Sequence, residues 1–335
     1  MPSAAPAASG LPQLRLLQRP RSHRHRVSAL PIALCFPGQG SQAAGMAFGL
    51  LETDTARRLL AAASAAGMDL ASALEGDDDH LRRTDVAQPA LLFVECTLLA
   101  EIADETPIAA VAGHSVGEYA ACVAAGALEP ETAMRLVIAR GQAMAGMREG
   151  TMCAFIGLDA DVVASLCEDV QRQTGEVVVV ANLNAPGQVV ISGSVAGVNA
   201  ATEAATQKGL RRAIPLNVSG AFHSPLMADA ATAFAAELDR ADIRDPRVPV
   251  VCNVDATAVE TADALRDRLR RQLTSPVRWV DCVATLLDRG GDTLVEVGPG
   301  TVLSGLARRI APGVSTAGVS RLEDARELGV PRGAG

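Results

Sequence analysis

Aromatic side chains are scarce: one Trp, one Tyr and six Phe in 335 residues. Single-strand nucleic-acid platforms and carbohydrate clefts rely on aromatic stacking, so neither suits this composition. Positive charge is short as well. With 30 Lys and Arg against 38 Asp and Glu the net charge is −8, a poor basis for binding a phosphate backbone. Lysine is nearly missing, Lys208 being the single one. No G-x-x-x-x-G-K-[ST] loop is present, and GQG is not G-x-G-x-x-G, so a nucleotide site is poorly supported. The seven cysteines, at 35, 96, 122, 153, 167, 252 and 282, are odd in number, widely spaced and never form C-x-x-C. That argues against a disulfide scaffold and a zinc cluster, and for small core residues in a reducing compartment. No uninterrupted apolar run reaches the roughly 18 residues of a membrane span.

Acid is missing from one end. Residues 1–30 hold five Arg and two His and no Asp or Glu, the first acid being Glu52. The stretch is rich in Ala, Pro and Ser and has no clean apolar period, so it is set apart from the fold. It reads as a mis-assigned start or disordered leader, as an organelle transit peptide, or as a functional basic arm. A secretory signal is disfavoured because no apolar segment follows the basic residues. Without its five arginines the rest carries 25 cations against 38 acids, a net charge of −13, and only three histidines: His80, His114 and His223.

What is present is ample core material: 49% of residues are hydrophobic and 20% charged, enough for one large domain or two modest ones. Short apolar runs at 31–36 and 108–112 alternate with helical patterns at 54–75, 85–103, 118–125 and 130–147, which predicts a parallel α/β sheet. The rhythm changes in the middle. Strand, helix, two β-branched runs joined by LNAPG, helix and strand follow over 150–218, the β-α-β-β-α-β order of a ferredoxin-like unit. The α/β pattern resumes with helices at 225–240, 262–273 and 277–289 and strands at 248–253 and 293–297. The expected organisation is a leader (1–30), an α/β core (31–149 and 219–320), an inserted α+β subdomain (150–218) and a C-terminal tail (321–335).

Four features carry chemistry. Gly113-His114-Ser115-Val116-Gly117 is G-x-S-x-G between a predicted strand and a predicted helix, the context of a nucleophile elbow. There the Ser115 hydroxyl stands at a helix N-terminus, where the dipole and the Val116 amide can stabilise an oxyanion; the alternative is a structural turn. A serine nucleophile needs a base. His114 is adjacent in sequence, so its side chain points away from that of Ser115, and His80 sits in an acidic turn. His223, in the loop Ser219–Met227 (SGAFHSPLM), is left by elimination, the alternative being a loop His that caps a helix. The Gly-rich turn Phe36–Gln42 (FPGQGSQ) could carry a second oxyanion-hole amide. Arg140 falls within an apolar helical pattern. A buried guanidinium is costly without a partner, so it either pairs with an internal acid or receives a ligand carboxylate.

These segments, with AQPALL (87–92), NAPGQVVISG (184–193), SPVRW (275–279) and EVGPGTVLSGL (296–306), occur in the order that closely resembles the malonyl-CoA:acyl carrier protein transacylases, from about Ile32 to about Val319. The resemblance implies a hydrolase-like parallel-sheet core with a ferredoxin-like insert. It implies ping-pong transfer of malonyl from malonyl-CoA, through a malonyl-serine ester, to the phosphopantetheine thiol of an acyl carrier protein. Ser115 would be the nucleophile and His223 the base. The amides of Gln39 and Val116 would form the oxyanion hole. Arg140 would clamp the malonyl carboxylate, with Gln88, Phe222 and His114 lining the same pocket. A main-chain carbonyl near Arg278 would orient His223 in place of an acid. In related acyltransferases a Phe before the His goes with malonyl and a Ser with methylmalonyl, which makes Phe222 a steric limit. No metal or redox cofactor is implied. The carrier would be acidic, so docking needs a local basic patch: Arg211 and Arg212; Arg268, Arg270 and Arg271; or Arg308 and Arg309. The chain is expected to act as a stand-alone monomer in the cytoplasm, or in an organelle matrix if the leader is a transit peptide. Alternatives are a serine thioesterase or hydrolase, which gains nothing from a cationic clamp unless its substrate is a diacid, the acyltransferase subunit of a malonate decarboxylase, and an inactive carrier-binding scaffold.

Overall fold

The computed structural model describes residues 31–103 and 106–328; the leader and the last residues of the tail lie outside that range. Ten strands run in chain order: β1 Ile32–Phe36, β2 Ile108–Gly113, β3 Thr151–Ile156, β4 Val178–Ala185, β5 Gln188–Gly193, β6 Arg212–Pro215, β7 Val250–Val251, β8 Ala258–Val259, β9 Thr293–Val297 and β10 Ser315–Val319. They form two sheets. One has the order β10-β9-β1-β2-β7-β8 and the other β4-β5-β3-β6.

The first sheet is parallel from β10 to β7, and only the short β8 is antiparallel. Its central strands are covered on both faces, which is why β1 (IALCF) and the end of β2 (AVAG) read as continuous apolar runs rather than alternating ones. Side chains alternate between two cores. Leu34, Phe36 and Val111 pack with the helices Thr84–Leu99, Gly117–Ala124 and Pro130–Gly146, while Ala33, Cys35, Ala110 and Ala112 face Trp279, Val283 and Leu306.

The second sheet is wholly antiparallel. In the insert's own count its order is 2-3-1-4, the topology expected of a β-α-β-β-α-β unit. The period-2 alternation of β3 assigns its faces. Cys153 and Phe155 bury against the helices Ala160–Thr174 and Val195–Gln207, whereas Met152 and Ala154 join the main core. This second face roofs a cleft that Ser115 and Met152 both line. The insert is stitched to the core where Val277 N donates to Ala181 O at 2.8 Å and Leu183 N to Val277 O at 2.9 Å.

Several expected elements are shorter or divided. The helical patterns read around 54–75 form two helices, Asp54–Ala65 and Leu70–Leu74, separated by Gly67 at φ +81°. Thr53 and Asp69 cap them, each accepting a hydrogen bond from an amide of the first turn. The strand expected over 248–253 has only two residues, because Asn253 turns inward to the elbow. The helix expected from 277 begins at Trp279. The helix Val302–Ile310 and β10 complete the core beyond the elements read from the sequence. Among the described residues no helix is long and apolar enough to cross a membrane.

Candidate active site

Ser115 sits between β2 and the helix Gly117–Ala124 with φ +54°, a left-handed conformation that a non-glycine residue adopts only under constraint. Its neighbours make that turn possible. A Cβ on Gly113 would run into the Gly117 carbonyl, and one on Gly117 into the Phe36 carbonyl at the end of β1. Both glycines of G-x-S-x-G are therefore required by close backbone approach.

The Ser115 hydroxyl lies 2.8 Å from His223 Nε2. His223 also has a left-handed backbone, φ +58°. Its Nδ1 is 3.1 Å from both Gln272 O and Ser275 O. Carbonyl oxygens only accept, so Nδ1 carries the proton and Nε2 presents a lone pair to the serine. Among the described residues no carboxylate bonds to His223. The orienting carbonyl expected at Arg278 is thus found three to six residues earlier. Arg278 O instead accepts from Cys282 N, as the N-cap of the helix Trp279–Asp288. Burial, and next the Arg140 charge, push His223 down to about 3, so the imidazole is a neutral base at any ordinary pH.

Arg140 is fully buried on the helix Pro130–Gly146. Its guanidinium donates to Gln88 Oε1 at 2.6 Å, to Gln272 Oε1 at 3.0 Å and to Ser115 Oγ at 3.1 Å, and lies 5.8 Å from the Tyr119 ring centroid. Nε has no hydrogen-bond partner. Each acceptor is neutral, so the internal acid allowed for at the sequence level does not pair with it directly. Burial lowers the Arg140 pKa, yet an arginine side chain in a protein remains a cation.

A cavity of about 140 Å³ opens beside Ser115 and His223, with Gln39, Gln88, Arg140 and Phe222 in its wall. Val116 also lines it, and among the described residues neither the Gln39 nor the Val116 amide donates to a protein acceptor. The insert contributes Met152, Asn182, Asn184 and Val190. His114 points toward the insert, its Nε2 2.9 Å from Asn184 Oδ1 and its ring 5.5 Å from that of Trp279. His80 is half-buried on the one-turn helix Asp78–Leu81 and does not line the cavity. Among the described residues no group of three or more His, Cys, Asp or Glu side chains could hold a metal ion.

Two residues at the centre of this network carry no local sequence signal. Gln272 accepts from Arg140 and donates to Ser115 O and Glu118 Oε2, each at 3.0 Å, while its own carbonyl receives His223. Asn253 accepts from Ser115 N and donates to Gly113 O, both at 2.7 Å. The basic clusters also differ from one another. Arg268, Arg270 and Arg271 are engaged by Asp255, Asp239 and Asp267, whereas Arg211, Arg212, Arg308 and Arg309 have no carboxylate partner among the described residues.

The family model described as acyl transferase domain matches residues 34–322. The malonyl CoA-acyl carrier protein transacylase of Bacillus subtilis is 43% identical over 299 residues, 86% of this chain and 93% of that protein. The crystal structure of an acyl-carrier-protein S-malonyltransferase from Burkholderia pseudomallei superposes with a TM-score of 0.82 at 39% identity, covering 89% of this chain and all of that one. A malonyl-transacylase solved in complex with a type II PKS acyl carrier protein gives 0.82 at 37% identity, with 88% of this chain and 97% of that chain covered. Strand order, elbow and relatives agree, and the chain belongs to the acyl transferase domain family, among the malonyl CoA-acyl carrier protein transacylases.

Proposed function

We propose that this protein moves malonyl from malonyl-CoA to the phosphopantetheine thiol of an acyl carrier protein, for fatty-acid or polyketide synthesis. Ser115 attacks the thioester carbonyl while His223 Nε2 takes its proton. The oxyanion is received by the amides of Gln39 and Val116. Collapse breaks the C–S bond, His223 returns the proton to the CoA sulfur, and malonyl remains as an ester on Ser115. The carrier thiol then repeats the sequence in reverse: His223 takes the thiol proton, the C–O bond breaks and Ser115 regains its hydrogen. No cofactor is consumed in these steps. Arg140 binds the distal carboxylate, Gln88 holds the guanidinium, and Phe222 limits the size of a substituent on the α-carbon. The division of labour places the catalytic pair on the core (31–149 and 219–320) and the roof of the cleft on the insert (150–218). We place the reaction in the cytoplasm.

The observation that carries this reading is a fully buried guanidinium, bonded only to neutral acceptors, within hydrogen-bond distance of a paired serine and histidine. A site for a neutral acyl group would not maintain that charge beside its nucleophile. The test is mass spectrometry after mixing with malonyl-CoA. A malonyl adduct is expected on the peptide that contains Ser115, and it should disappear when holo carrier protein is added, with the adduct passing to the carrier. Label elsewhere, or none, refutes the mechanism.

A further inference from the structure

Glu118 has no part in the steps above, yet it lies at the centre of the groups that perform them. It is the second residue of the helix that follows the elbow and is fully buried. Oε2 accepts from the Gln272 side chain and from Asn253 N, each at 3.0 Å, and Oε1 has no partner. Both contacts lead to the reacting groups. Gln272 holds the Arg140 guanidinium through Oε1 and His223 through its carbonyl. Asn253 holds the Ser115 amide. A buried carboxyl is one bridging side chain away from a buried guanidinium that meets no acid directly.

We propose that Glu118 is a positioning residue for malonyl transfer: it holds the carboxylate clamp and the nucleophile in register through Gln272 and Asn253, and its ionisation sets how much of the Arg140 charge is left for the substrate carboxylate. The inference rests on the malonyl-transfer reading. When Glu118 is ionised, the Arg140 charge is already partly balanced and an incoming carboxylate is attracted less. When Glu118 is protonated, the substrate carboxylate is the only anion facing Arg140. Malonyl binding and protonation of Glu118 therefore favour each other, and by linkage the effect is reciprocal.

The surroundings make this readable near neutrality. Burial raises Glu118 to about 7, against the pull of the hydrogen bonds from Asn253 and Gln272, of the neighbouring Cys252 thiol and of the Arg140 charge. The other titratable groups packed around it do not change charge there. Burial pushes Tyr119 and the thiols of Cys122, Cys252 and Cys282 up. His223, pushed down by burial to about 3, stays neutral, and burial pushes His114 down as well.

The experiment compares wild type with Glu118→Gln, which keeps an acceptor oxygen for both donors and removes the charge. Steady-state KM and kcat are measured from about pH 6 to pH 8 with malonyl-CoA, and with acetyl-CoA as a substrate that has no carboxylate; CoA phosphate titration is common to both. For wild type the malonyl-CoA KM is expected to rise about fivefold or more across that range, the lower end of ordinary coupling between sites. The acetyl-CoA KM should not follow it. Glu118→Gln should hold the malonyl-CoA KM near the wild-type value at low pH, without a slope. Glu118→Ala, which also removes the acceptor, should lower kcat for both substrates if it folds; the glutamine variant decides the charge question if it does not. A malonyl-CoA KM slope retained in Glu118→Gln, or an acetyl-CoA KM with the same slope, overturns the inference. So does a wild-type KM that is flat while malonyl still loads on Ser115. Loss of that loading in wild type instead refutes malonyl transfer itself.

Discussion

A guanidinium removed from water and given only neutral partners is an energetic liability, and Arg140 carries it next to the nucleophile. A substrate carboxylate relieves it; an acetyl group does not. Arg140→Ala should therefore lower malonyl transfer roughly ten- to a hundredfold, the loss of about 1.5–3 kcal/mol for a hydrogen bond to a charged group, while acetyl transfer is unchanged or rises. Parallel assays with malonyl-CoA and acetyl-CoA check this, and an equal loss of both would make Arg140 structural. His223 gives a second expectation at this scale. In the unfolded chain it takes up a proton below 6.5; folded, it stays neutral down to about 3. Below 6.5 the unfolded state binds more protons, so the His223 contribution to stability falls as pH drops through that window. Glu118, raised from 4.5 to about 7, acts with the opposite sign between those values, and so the comparison must be between variants. The melting temperature of His223→Gln, relative to wild type, should increase as pH falls from 6.5 toward 4; a constant difference would contradict the buried neutral imidazole. Ser115, His223 and Arg140 were legible because rare residue types fall in short, recognisable contexts. Gln272 and Asn253 were not, since an amide that bridges residues 132 and 138 positions away leaves no local pattern.

The elbow is an element whose sequence and geometry specify each other. The Gly117 α-carbon lies so close to the Phe36 carbonyl that any side chain must push β1 and the following helix apart. Gly117→Ala should lower the melting temperature and abolish the Ser115 adduct, with a cost of about 1–3 kcal/mol for overpacking; thermal unfolding and intact mass report the two effects, and a variant that is both stable and active would show that the close approach is dispensable. Central strands and long helices were readable because their apolar period is imposed by burial on one or both faces. Short elements were less so. The break at Gly67 and the two-residue β7 depend on where the chain must turn to reach its neighbours, which is decided by tertiary contacts such as that of Asn253. The orienting carbonyl shows the same limit, since any residue supplies one and only the path of the turn selects Gln272 and Ser275 over Arg278.

At the scale of the whole molecule the question is how a chain with a surplus of acid receives an acidic carrier. Exposed arginines distant in sequence are the candidates to receive it. Arg212 pairs with Ile156, and Ile156 with Gln188, so all three lie at one end of the insert sheet. Arg309, from the core helix Val302–Ile310, reaches the same end, where it donates to Gln188 and to Pro186 O at 2.9 Å. Arg211, Arg212 and Arg309 thereby gather on one edge, all exposed, whereas Arg308 turns to β10, donating to Thr316 Oγ1 at 2.8 Å. Arg309 joins insert to core, and Arg211 N donates to Ile156 O at 3.0 Å, which leaves Arg211 and Arg212 as the cations to test. Along β3 this edge is about 13 Å from Met152 in the cavity wall, at about 3.3 Å per residue, so a carrier seated there would have only a short path for its thiol arm to Ser115. Charge on such a rim governs encounter more than chemistry. Arg211→Glu combined with Arg212→Glu should therefore raise the carrier KM about tenfold at low salt and weaken its salt dependence. Malonyl loading of Ser115 from malonyl-CoA should proceed at the wild-type rate. An unchanged carrier KM would move docking to another face, and a parallel loss of loading would mean that the substitutions disturb the cleft rather than the encounter.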